Sequence, residues 1–152
     1  MNVRPLLLAL LLPFAAISFV QSAVAQDEIP AEVSKRLADF FGDLSSSEVQ
    51  SDEAFRLLLA GGPLEKRAAD VKKLIDRFAQ LKNQYGAYLE HERVDSQAIG
   101  SDLLILKYLY KAEDYPILWK FTLYRKPSVG NASPWRVISV SFGTRLESLT
   151  GE

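Results

Sequence analysis

The sequence predicts an α+β fold in which three N-terminal helices pack on one face of a curved, four-stranded antiparallel meander. Two observations point there first. Apolar residues recur at three- and four-residue steps from Val33 to Leu81, and from Tyr85 the period changes to two. The third is order: helices come first and strands afterwards, joined by short links. That arrangement suits an antiparallel sheet with helices gathered on one side.

The amino-terminal stretch reads as a secretory leader rather than as part of this fold. Arg4 is its one charge, an apolar run spans Leu6 to Val20, and Ala23 and Ala25 supply small residues around a cleavage point. The run is about 15 residues, short of the roughly 20 that cross a bilayer, and Pro13 interrupts it. Cleavage after Ala25 is expected to leave a single domain over 26–152, exported to a periplasmic or extracellular space and with no membrane insertion of its own.

Composition narrows the function classes. The chain has 18 basic against 19 acidic side chains, so it lacks the basic footprint that nucleic-acid binding rests on. It has 0 cysteines. That excludes disulfide staples, a thiol nucleophile, a thiolate metal site and a lipidated cysteine, and leaves the core to hold the domain together.

Each element has its own signal. Pro30 suits a helix start, and Val33, Leu37, Phe40, Phe41 and Leu44 form one apolar stripe behind it. Ser45 with Glu48 matches a capping box, and Ser51 before Asp52 and Glu53 is a second candidate cap. A short helix carrying Phe55, Leu58 and Leu59 follows, ended by Gly61-Gly62-Pro63. A longer helix is predicted from Leu64 to Lys82, with Val71, Leu74, Ile75, Phe78 and Leu81 on one arc. Lys66, Lys73 and Arg77 lie on another arc with Asp70 among them, which reads as a solvated face. Strands are expected at 86–95, 102–112, 117–126 and 135–143, separated by segments rich in turn formers.

The opening amphipathic helix, the short helix DEAFRLLLAGG, the third helix ending at YGAY and the closing hairpin LWKFTLYRK…PWRVISVSF together resemble the nuclear-transport-factor-2-like family. A tryptophan entering the last strand, as Trp135 does, is similar to that family's pattern. The resemblance implies a cone-shaped α+β domain over roughly residues 29 to 146, closest in kind to small exported members of unassigned function. The family includes isomerases and dehydratases with acid–base groups inside the cone, and also non-catalytic dimerising modules, so fold alone does not choose between them.

Strand parity bears on that choice. Ile117, Trp119, Phe121 and Leu123 share a face, as do Ile138, Val140 and Phe142, and these sets should meet the helices. They contain no acid, base or oxyanion donor. The opposite faces carry Leu118, Lys120, Thr122 and Tyr124, and Trp135, Val137, Ser139 and Ser141. His91 is the single histidine. A general base or a metal ligand would suit it chemically, but alternation sends Glu90 and Glu92 to the other face, so it reads as structural. There is no hydrolase elbow, phosphate-gripping loop or paired-ligand spacing, and no metal or cofactor is expected. Asn131-Ala132-Ser133 fits a glycosylation acceptor, but with Pro134 after it reads as a turn.

Two functions follow. The first is a non-catalytic module that forms a homodimer or docks on an envelope protein through Tyr124, Trp135, Lys120 and Ser139. Its motive is the strand LLILKYLYK, apolar on both parities and in need of a second cover. The second is a protein that binds or isomerises an apolar small molecule inside the cone, with Phe41, Tyr108, Tyr110 and Trp119 as walls and His91 and Arg93 at the mouth. An interior filled by Trp119 and Phe121 would defeat the second.

Overall fold

The computed structural model describes residues 29–46, 50–127 and 133–149. The leader, Glu48 and most of the Asn131 triplet lie outside the described residues. The architecture is α+β: α1 (Ala31–Ser45), α2 (Ser51–Leu59), a 3-10 turn (Pro63–Lys66) and α3 (Ala68–Tyr85), then β1 (Tyr88–Ile99), β2 (Leu103–Ala112), β3 (Pro116–Arg125) and β4 (Trp135–Gly143). The four strands form one antiparallel sheet in the order β1-β2-β3-β4. No described helix is long and apolar enough to cross a membrane.

Helix ends differ from the sequence expectation in instructive ways. Pro30 stands just before α1 as its N-cap, and its carbonyl accepts from the Val33 and Ser34 N–H groups. Ser45 does not cap α2; it is the last residue of α1, and its hydroxyl donates back to the Gly42 carbonyl at 2.6 Å. Ser51 is the first helical residue of α2, one position inside the cap, which is Gln50. The long third helix starts late because Pro63–Lys66 closes as a separate 3-10 turn, leaving α3 to run from Ala68 to Tyr85. Gly86, at φ 85°, then turns the chain into β1. There the Ala87 N–H donates to the Glu113 carboxylate at 3.0 Å, and the Asp114 N–H to the Tyr85 carbonyl at 3.0 Å. The end of α3 is thereby stitched to the β2–β3 turn.

The helices bury one stripe each against the sheet's inner face. Val33, Leu37, Phe40, Phe41 and Leu44 of α1 and Ala54, Phe55, Leu58 and Leu59 of α2 are buried. Along α3 only Phe78 is buried, and Val71, Leu74, Ile75 and Leu81 stay half-buried. The sheet answers with strict alternation in β2, where Leu104, Leu106, Tyr108, Tyr110 and Ala112 point inward.

Three irregularities in the ladder decide which side chains face where. Leu89 and Val94 are extra residues in β1, so the strand runs on to Ile99 without losing its inward set. In β4 the pairing passes from Thr122–Ser139 to Leu123–Val137, leaving Ile138 unpaired. That bulge reverses the parity expected for the first half of β4. Trp135 and Val137 turn inward, while Arg136, Ser139 and Ser141 remain outside.

The turn between α2 and α3 presses directly on this segment. A Cβ on Gly62 would sit 2.6 Å from the Val137 carbonyl oxygen and 3.2 Å from the Leu59 carbonyl oxygen. Both obstacles are backbone, which cannot swing aside. Gly62→Ala is therefore expected to destabilise the domain by roughly 1–3 kcal/mol, read as a lower denaturant midpoint with an unchanged slope. An unaltered midpoint would mean that the turn does not bear on β4.

Candidate functional site

The space between the helices and the inner face of the sheet is the first place to look for chemistry, and aromatic rings occupy it. Trp119 projects from the inner face of β3 and is fully buried. Its ring lies 4.2 Å, centroid to centroid, from Phe142 on β4, 5.4 Å from both Phe40 and Phe78, and 5.7 Å from Phe121. Phe41 packs edge-on against the same indole at 5.8 Å and lies tilted against Tyr108 at 5.3 Å. The rings expected as pocket walls touch one another. Phe41, Tyr108, Tyr110 and Trp119 are core residues, and Trp119 and Phe121 fill the space a ligand would need.

Polar groups inside are few and separate. The Tyr110 hydroxyl and the Trp119 indole nitrogen are buried with no hydrogen-bond partner among the described residues. Burial, and then neighbouring Tyr88, push the Tyr110 hydroxyl up to about 12, so it stays protonated across the physiological range. A phenol so held is a poor base.

His91 and Arg93 lie on the inner parity of β1, opposite Tyr110 and Tyr108, half-buried at the sheet's edge. The His91 ring stacks on Phe41 at 4.7 Å, and its Nδ1 shares a 2.6 Å hydrogen bond with the Tyr88 hydroxyl. Glu90 and Glu92 pair with Lys111 and Leu109 on the outer parity, away from His91. The three do not converge, and among the described residues no group of three or more His, Asp or Glu side chains is placed to hold a metal. Burial lowers the His91 pKa, with Glu90 opposing in part.

The outer face of the sheet is the second place. Register sets its rows: Ile99, Leu103, Tyr124 and Arg136; then Gln97, Ile105, Thr122 and Ser139; then Asp95, Lys107, Lys120 and Ser141; then Glu92, Leu109, Leu118 and Gly143. Leu103, Ile105 and Leu109 are half-exposed, Ile99 is 46% exposed and Tyr124 38%. Leu118 is covered by its neighbours but stands apart from the main core. The charged row Asp95, Lys107 and Lys120 crosses these apolar residues, and further charges flank them unevenly. Glu90, Glu92 and Asp95 line β1, bridged to Lys111 and Lys107 of β2. Lys120 and Arg136 stand on the β3–β4 side, exposed and without an ion-pair partner among the described residues.

Three of the four residues expected at an interface are therefore outside: Tyr124, Lys120 and Ser139. Trp135 is not. The bulge at Ile138 turns it inward, where it is 4% exposed, with the Arg125 guanidinium 4.9 Å from its ring centre. The Arg36 guanidinium also holds its carbonyl at 2.9 Å. Leu118 lies on this face as its parity in β3 predicts, whereas Ile99 was missed by sequence reasoning. The signal for Ile99 was present in the two-sided apolarity of β2, against whose outer residue Leu103 it is registered.

The chain matches no protein-family model, no curated protein and no solved structure.

The His91 environment gives a pH dependence with a definite sign. The folded-state pKa lies below the unfolded reference of about 6.5. Below that reference the unfolded chain takes up a proton that the folded chain resists. The contribution is thus intact above about pH 6.5 and lost as pH falls through the window beneath it. The melting temperature of the wild type is expected to drop relative to that of His91→Phe between about pH 7 and pH 5.5. Parallel curves for the two proteins would contradict this placement of the ring.

Proposed function

We propose that this chain is an exported, non-catalytic interaction module of the nuclear-transport-factor-2-like kind, which associates with a second copy of itself through the outer face of its sheet. One observation carries the reading: Leu103, Ile105 and Leu109 stay half-exposed on the outer face of the central strand β2, with Ile99 and Tyr124 exposed beside them, while the rings of the interior pack against one another. The charges favour a like partner. A two-fold axis lying between the two faces and parallel to the strands sets the carboxylate-lined β1 side of one copy against the Lys120 and Arg136 side of the other.

Size supports a reversible complex. Four strands about 4.8 Å apart and about 30 Å long present a planar area on the order of 600 Å² per copy, at the low end for stable interfaces. Such a dimer dissociates on dilution and weakens with salt, because its rim charges are screened.

Sedimentation velocity tests the proposal. The wild type is expected to pass from monomer to dimer over a concentration range on the order of micromolar. Ile105→Lys and Tyr124→Glu, both on exposed or half-exposed outer positions, should remain monomeric there with little change in melting temperature. A wild type that stays monomeric at several hundred micromolar, or variants that associate as well as the wild type, would overturn it.

A further inference from the structure

On the helical side of the molecule, remote from the outer sheet face, α2, the 3-10 turn and the first half of α3 enclose a cleft of about 330 Å³. Its floor is apolar: Leu59 from α2, and Ala68, Val71 and Ile75 from α3. It exists because Phe78 is the one buried residue of α3, while Val71, Leu74 and Ile75 in the amino-terminal half of its stripe pack on the core only half-buried. The volume falls within the range of small-molecule sites.

The rim gives the cleft a sign. Arg56 is engaged by Glu53 on its own helix, and Lys72 bonds both carboxylate oxygens of Asp76 at 2.9 Å. The Glu65 carboxylate accepts from the Gly61 N–H at 2.9 Å. Asp52, at the mouth, has no ion pair among the described residues, although the Lys72 ammonium is near enough to feel its charge. Glu65 and Asp52 both stand outside any ion pair among the described residues, and Asp52 is the one that also accepts no hydrogen bond there, an acceptor-only group beside an apolar floor.

We propose that this cleft binds a free, small amphipathic cation, with its apolar body on Leu59, Val71 and Ile75 and its ammonium or amidinium group at Asp52. The space holds a body of about ten water-sized groups, too little for the paired acyl chains of a membrane lipid. The site is independent of self-association, since it lies on the other layer of the fold.

The test is a titration of the isotope-labelled protein followed by amide NMR, using octyltrimethylammonium, octanesulfonate and phosphatidylethanolamine vesicles as three separate probes. The cation is expected to shift the amides of Leu59, Ala68, Val71 and Ile75 saturably, while the sulfonate and the vesicles leave them in place. Asp52→Asn should weaken the cation about fivefold, as for loss of one exposed charge pair. Ala68→Leu, which fills the floor from an exposed position, should abolish the shifts with the rest of the spectrum unchanged. Equal shifts from the sulfonate, shifts from the vesicles, unchanged affinity in Asp52→Asn, or cation shifts mapping elsewhere would each overturn the assignment.

Discussion

The Trp119 indole sits where all three helices and two neighbouring positions of the sheet converge. Phe40 and Phe41 of α1, Phe55 of α2 and Phe78 of α3 surround it from above, with Phe121 beside it and Phe142 across from it on β4. Most of these contacts are tilted or edge-on, the geometry that ring quadrupoles prefer. With no disulfide, this cluster is what ties the helical layer to the sheet. Replacing such a ring by alanine typically costs about 3–5 kcal/mol, a large share of a small domain's stability. The same packing sets rings against one another throughout the space between helices and sheet.

The sheet's irregularities decide what its outer surface presents. The bulge at Ile138 draws Trp135 into the core and leaves Arg136 and Ser139 outside, so the outer face gains a cation and loses an aromatic ring. The bulges at Leu89 and Val94 keep Glu90, Glu92 and Asp95 on the outer parity while His91 and Arg93 stay inward. Without them, acidic and basic sides would not sort so cleanly across the face. The two extra residues also twist an exposed edge strand, which discourages indiscriminate strand addition there.

Much of this was legible in the residues. The change of period near Tyr85, the inward set of β3 and the separation of His91 from its flanking glutamates follow from side-chain periodicity alone, and the structure has them as read. Three things were not legible, for separate reasons. A bulge leaves no mark in composition, so Trp135 was assigned to the wrong face by a rule that holds only while the ladder is regular. Aromatic residues at inward positions describe a pocket wall and a solid core equally well; only the ring distances separate them. The α2–α3 cleft depends on how far α3 stands off its neighbours, a tertiary spacing that the stripe Val71, Leu74, Ile75, Leu81 does not encode.

The central claim is that the space between helices and sheet is solid, and it can be tested without reference to any partner or ligand. Xenon enters dry apolar cavities large enough to receive it, and its scattering locates them directly in pressurised crystals. The account predicts no ordered xenon in contact with Trp119, Phe41 or Tyr110. A xenon atom seated among those rings would show that the space between helices and sheet is hollow, and would return the search for chemistry to His91 and the buried Tyr110 hydroxyl.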